Sequence, residues 1–211
     1  MTIAACYVSP EGVVLGTDST TTFPSVSGNH CFNYTQKLFK VGTGSTLGLA
    51  TWGIGSLGEV SYRSLVAQLA DDIANTHVAS VGEVASRWTA LVWSVYCDVF
   101  DVTRQRVREL KSKSARTQDE ELELLNAQFH SSAGFCIGGH IAVDRRPEAY
   151  ETNVSPDLEL PPAPVRLPMG SPRFWGWSNL IGRLTNGMDD YLFGEILQSG
   201  KWTGSVDDLR N

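Results

Sequence analysis

The apolar positions of the chain change period near residue 57, and that change divides its first half. Residues 2–8 (TIAACYV) and 13–17 (VVLGT) are short apolar and β-branched runs joined by Ser9-Pro10-Glu11-Gly12. Proline and glycine sit there where a four-residue turn needs them, so the two runs predict a hairpin. KLFKVG and LGLATWG, separated by Thr43-Gly44-Ser45-Thr46, predict a second pair of strands. The amino-terminal portion therefore reads as a β-rich meander that stops at Gly53, Gly55 and Gly58.

From Leu57 the spacing becomes helical. Leu65, Leu69 and Ile73 recur every four residues beside Val66 and Ala70, which predicts an amphipathic helix ending about His77. Val84, Trp88, Leu91, Val92, Val95 and Val99 predict a second, well-buried helix, with Ser80 as its N-cap and Glu83 as the capping-box partner. The highly charged stretch that follows predicts a helical insertion over 104–130 with a break near Ser112 to Ser114. AGFCIGGHIAVD and EAYETNV predict another hairpin around Arg145-Arg146-Pro147. Six of the nine prolines fall between Pro156 and Pro172, so 156–173 is expected to be an extended loop within one domain spanning 1–211. A last helix is expected from about Ser178 to Gln198.

Composition narrows the function classes. At 211 residues with 42% apolar content and mean hydropathy near zero, the chain can bury one substantial core. A net charge of −6, from 23 acidic and 17 basic side chains without long runs, disfavours nucleic acid or an anionic membrane as the main partner. Cys6, Cys31, Cys97 and Cys136 form no CxxC pair and read as buried thiols in a reducing compartment. No stretch reads as a signal peptide or a membrane span, so a cytoplasmic protein is expected. His30, His77, His130 and His140 lack metal-ligand spacing, and no phosphate-binding glycine loop occurs. No cofactor is therefore expected.

The candidate chemistry lies at the start of the chain. Removal of Met1 would leave Thr2 with an α-amine beside its hydroxyl, so that one residue holds both base and nucleophile. A nearby cation would lower the proton affinity of both groups, and a carboxylate would orient that cation. Asp18 ends the second strand of the first hairpin, level with Thr2, and Lys37 opens the third strand. Taken singly, a threonine at position 2, a strand-ending aspartate and a lysine before an apolar run are each ordinary; their joint spacing is not.

TIAACYVSPEGVVLGTDSTTT, then QKLFKVG, then LGLATWGIGS, resembles the opening of proteasome β-type subunits and their bacterial relatives, which are N-terminal nucleophile hydrolases. The resemblance implies an α+β fold, a four-layer αββα sandwich. It implies a threonine-type peptidase in which Thr2 is the nucleophile, Asp18 and Lys37 complete the site, and Gly53 supplies an oxyanion-hole amide. Thr21 and Thr22 would pair with substrate backbone as with an added strand. FWGWSNLIGRL resembles the turn opening the family's third helix and makes Ser178 a candidate helper of the amine, although Ser178 is equally an ordinary N-cap.

Peptide or unfolded-protein substrates, self-association into rings or a spiral, and a separate ATPase partner belong to the same implication. The family also has a further helix and two strands after its third helix. Only thirteen residues follow Gln198, so either the chain is a fragment or those strands are absent. Two other readings stay open: an amidase or acyltransferase on a small amide, with Trp52, Phe174, Trp175 and Trp177 lining its pocket, and a silent scaffold subunit that retains Met1.

Overall fold

The computed structural model describes residues 2–25, 28–141, 145–176, 181, 190–202 and 204. The amino-terminal hairpin is β1 (Ile3–Ser9) and β2 (Gly12–Thr17), paired from Ala4↔Thr17 to Ser9↔Gly12. The turn is shorter than the sequence suggests because Ser9 stays in the ladder: its Oγ accepts the Gly12 N–H at 3.2 Å and the Glu11 N–H at 3.3 Å, leaving Pro10 and Glu11 as the loop. Alternation along β1 buries Ala4, Cys6 and Val8 on one face and turns Tyr7 outward. A second hairpin, β3 (Thr21–Ser25) and β4 (Gly28–Phe32), follows as a separate two-stranded ribbon. Next come β5 (Leu38–Lys40) and β6 (Gly48–Gly53), then the short pair β7 (Ser56–Leu57) and β8 (Val60–Ser61).

Helix α1 (Tyr62–Asn75) is capped by Ser61, whose side chain accepts the Ser64 N–H at 3.2 Å. Helix α2 (Val81–Val99) begins at Ser80, whose Oγ accepts the Glu83 N–H at 3.1 Å. The return bond expected from Glu83 goes one residue further back: its Oε2 accepts the Ala79 N–H at 2.8 Å. The charged stretch forms α3 (Asp101–Ser112) and α4 (Gln118–Ser131) around a small core of Val107, Leu110 and Leu124, and Thr117 and Glu120 make a reciprocal capping box at the start of α4.

Strands β9 (Ala133–Gly139) and β10 (Glu148–Val154) pair along their whole length, with β9 buried at every position as the centre of a five-stranded sheet. The proline-rich segment is more ordered than a loop. It contributes β11 (Val165–Arg166) to the edge of that sheet, then sends the Leu167 N–H to Ala149 O at 2.9 Å and the Gly170 N–H to Val8 O at 2.8 Å. It ends in β12 (Arg173–Gly176), antiparallel to β1, and a further helix, α5 (Asp190–Gln198), follows.

The architecture is α+β. One sheet has the order β12-β1-β2 and the other β11-β10-β9-β6-β5. Between them lie Ala4, Cys6 and Val8 of the first sheet and Ala50, Trp52, Cys136 and Ala149 of the second. On the outer face of the five-stranded sheet, Leu65 and Leu69 of α1 and Val84, Trp88 and Val92 of α2 pack on Phe39, Leu49, Phe135 and Ile137, with Trp88 edge-on to Phe135 at 5.2 Å. The four-layer sandwich thus appears among the described residues as three layers: helices, sheet, sheet. The outer face of β1 and β2 leaves Tyr7 and Val14, cross-strand neighbours, exposed to solvent. Among the described residues no helix is long and apolar enough to cross a membrane.

Cys6 and Cys136 are buried side by side between the sheets. The hydrogen bond from the Cys136 thiol holds Cys6 below the usual thiol range against the effect of burial, and the same bond together with burial pushes Cys136 up. Cys97 is half-buried and Cys31, on the ribbon strand β4, is exposed, so the expectation of four buried thiols holds for two.

Candidate active site

The hairpin register decides where Asp18 falls. One step beyond the Ala4↔Thr17 pair, Asp18 lies opposite Ile3, and the two exchange bonds: the Asp18 N–H donates to Ile3 O at 3.0 Å and the Ile3 N–H donates to Asp18 Oδ1 at 2.9 Å. Asp18 Oδ2 accepts the Thr20 N–H at 3.2 Å, closing a local side-chain turn that fixes the carboxylate plane. The carboxylate is therefore held one residue from Thr2.

Lys37 immediately precedes β5, where Thr51 N–H donates to its carbonyl at 2.9 Å and extends the β5–β6 ladder by one pair. Its side chain is only 7% exposed and reaches back to the hairpin, with Nζ 3.0 Å from Asp18 Oδ1 and a further bond to Thr20 O. Burying an ammonium is costly unless a counter-ion and acceptors replace water, and Asp18 and the Thr20 carbonyl do so here. A lysine before an apolar run is ordinarily exposed, but here the side chain turns inward.

A small cavity of about 60 Å³ opens beside this pair, lined by Thr2, Thr21, Lys37, Thr51 and Gly53 among others. The N–H groups of β6 alternate in direction: Thr51 donates toward β5 and Ile54 donates to Ser132 O, on the β9 side, at 3.0 Å. By that alternation the Gly53 N–H faces the β5 side, past the end of the shorter strand and toward the cavity. Gly53 has φ +84°, and a Cβ there would stand 2.3 Å from Ser132 O. The glycine is required by the main chain behind it, a reason the sequence does not reveal.

Thr2, Asp18, Lys37, Gly53 and Thr21 therefore meet at one end of the sheets. Thr22 follows in β3 opposite Cys31, so one edge of that strand is already taken by β4. Ser178 lies outside the described residues, as do Met1 and Trp177. Of the other aromatics expected around a small-amide pocket, Trp52 lines the cavity. Trp175 stacks on Trp52 at 4.5 Å and 8° in the inter-sheet core, while Phe174, one position earlier on β12, is partly exposed. Trp52 finds room because a Cβ on Gly134 would come within 2.0 Å of its ring.

Sequence reasoning did not single out Thr20, whose carbonyl accepts from Lys37, Thr35 and Thr51, which line the cavity, or Gly176, the last residue of β12. Strand alternation from Lys37 and Gly53 points to Thr51; nothing in the sequence separates Gly176 from an ordinary turn glycine. Among the described residues no cluster of three or more His, Cys, Asp or Glu side chains could hold a metal ion.

No protein-family model matches the chain, and no curated protein is detectably similar to it. Among solved structures it is similar to Anbu (ancestral beta-subunit) from Yersinia bercovieri, at 16% identity and TM-score 0.48, over 84% of this chain and 61% of that one. It is also similar to an Anbu (Gly-1) mutant from Hyphomicrobium sp. strain MC1, at 12% identity and TM-score 0.49, over 94% of this chain and 70% of that one. The chain thus spans less than two thirds of the Yersinia protein, and a likeness at this level carries no argument about activity or partners. These findings correct the resemblance drawn from the amino-terminal motifs: the solved structures named here are ancestral beta-subunit proteins, not proteasome β-type subunits. The motifs set a lysine and a glycine on neighbouring strands beside a hairpin, which fixes a local geometry without identifying a subunit type.

Proposed function

We propose that the chain is a hydrolase of amide bonds in extended peptides, with Thr2 as nucleophile once Met1 has been removed. The observation that carries this reading is the buried Lys37 ammonium, held 3.0 Å from Asp18 in the wall of a cavity that Thr2 also lines. Thr2 Oγ1 attacks the substrate carbonyl carbon while its proton passes to the α-amine of the same residue. Lys37 stabilises the negative charge that develops, and the Gly53 N–H donates to the oxyanion. The C–N bond then breaks, with the amine returning the proton to the leaving group. Water attacks the resulting ester, releases the acid and restores the hydroxyl. Asp18 orients Lys37, and β3, through Thr21 and Thr22, offers main-chain pairing to an extended substrate. Self-association would enclose such a site within the cell.

Intact-mass measurement before and after treatment with a peptide β-lactone tests the reading. Loss of one methionine and one adduct on Thr2, absent in Thr2→Ala, support it; a retained Met1 with no adduct removes it and favours a scaffold. Hydrolysis of small amides but not of peptides by the labelled protein would move the substrate class to the amidase alternative.

A further inference from the structure

The peptide joining Thr2 to Ile3 is gripped from two sides. On one side Asp18 exchanges both bonds with Ile3, at 2.9 and 3.0 Å. On the other lies Gly176, the last residue of β12 and the register partner of Ile3. Gly176 has φ +75°, and a Cβ built on it would stand 2.0 Å from the Thr2 carbonyl oxygen and 2.9 Å from its carbon. Positive φ disfavours most L side chains and the contact excludes a Cβ, because the obstructing atoms are main chain, which cannot rotate aside.

We propose that Gly176 is a positioning residue for Thr2: its missing side chain lets β12 close directly on the Thr2 carbonyl, and this contact, opposed by Asp18, sets the pose of the Thr2 hydroxyl over the cavity. The proposal rests on the reading of Thr2 as nucleophile. Its anchor is Trp175, the neighbouring residue, stacked on Trp52, which lines the same cavity as Gly53. The nucleophile and the Gly53 amide are thereby referred to one rigid wall. Gly16 provides the contrast. It lies in the same sheet, opposite Ala5, with ordinary φ, and a Cβ there meets nothing within 4 Å.

The test combines amide hydrogen exchange with β-lactone labelling of the full chain. In the wild-type protein the Ile3 amide should exchange at least about tenfold more slowly than in an unfolded chain; exchange as fast as in an unfolded chain overturns the grip without any variant. Gly176→Ala should expose the Ile3 amide while Tyr7, paired with Val14 toward the far end of β1, stays protected. It should also lower the maximal labelling rate by about 100-fold with the inhibition constant little changed, the split expected of a displaced nucleophile rather than a lost binding surface. Gly16→Ala should change neither. Gly176→Asn tolerates positive φ yet keeps a Cβ, so it should behave as alanine does; wild-type labelling by either Gly176 variant overturns the proposal. If the wild-type protein itself takes no label, the hydrolase reading fails, and the Ile3 exchange alone decides whether Gly176 holds that peptide.

Discussion

Two acid–base pairs in this molecule look alike on paper and differ in kind. Arg106 and Glu123, across the α3–α4 hairpin, make a two-pronged ion pair at 2.7 and 2.8 Å, backed by Arg106–Glu109 at 3.2 Å, all on open surface. Lys37 and Asp18 make a single contact at 3.0 Å, but the lysine is buried and the carboxylate also holds backbone N–H groups of Ile3 and Thr20. The first pair is solvated, redundant and replaceable by water. The second is harder to replace, because removing Asp18 strands the buried Lys37 ammonium next to the amino-terminal strand. Ideal geometry at the surface thus means less than one contact to a buried charge.

The largest effect expected along this contrast is chemical: Thr2→Ala should lower peptide hydrolysis by at least about 1,000-fold with melting temperature unchanged. Lys37→Met comes next. It should abolish labelling of Thr2 and also destabilise by about 2 kcal/mol, since Asp18 loses a charged partner, which thermal denaturation would register as a fall of roughly 4–8 °C. A melting temperature equal to wild type would show that the pair is not buried in solution. Gly134→Ala should cost roughly 1–3 kcal/mol by forcing Trp52 off Trp175, with near-ultraviolet dichroism changing in parallel.

The surface pair gives the smallest effects. Arg106→Ala should leave melting within experimental error of wild type. Acid should nevertheless reach this hairpin. Lys113 and the Thr117 N–H hold Glu120 below the usual carboxylate value of 4.5, and Arg106 does the same for Glu123. Because both values are depressed on folding, their contribution is complete above 4.5 and disappears as pH falls through the lower folded values. Hydrogen exchange in α4 should therefore quicken on acidification before that of β9 does; the reverse order would break the comparison.

What the sequence made legible follows the same division. Helices α1 and α2 and the first hairpin stood out because burial of one face imposes a period, and Pro10 with Gly12 punctuates it. Asp18 was legible for the same reason, since hairpin register is arithmetic. Lys37 was legible as a cation of the same site only through its company with Thr2 and Asp18; the carbonyl that helps to bury it belongs to Thr20, a residue with no pattern of its own. The β3–β4 ribbon went unseen: TTFPS and GNHCF carry a proline, a glycine and little alternation, so only the backbone reveals their pairing. The proline-rich segment concealed β11 and β12 for a similar reason, since its strands are two and four residues long and are held by ladders on partners distant in sequence. Gly176 lay beyond reach because its importance is an absence, visible only once the Thr2 carbonyl is seen beside it.

The stacking of Trp52 on Trp175 has an optical consequence. Two indoles nearly parallel at 4.5 Å share their excited states, so the protein carries its own exciton-coupled chromophore, seated between the strand that bears Gly53 and the strand that closes on Thr2. Whenever β12 lifts from its neighbour, that coupling must fade. The docking of this strand can therefore be followed by light alone, with no substrate, label or turnover required.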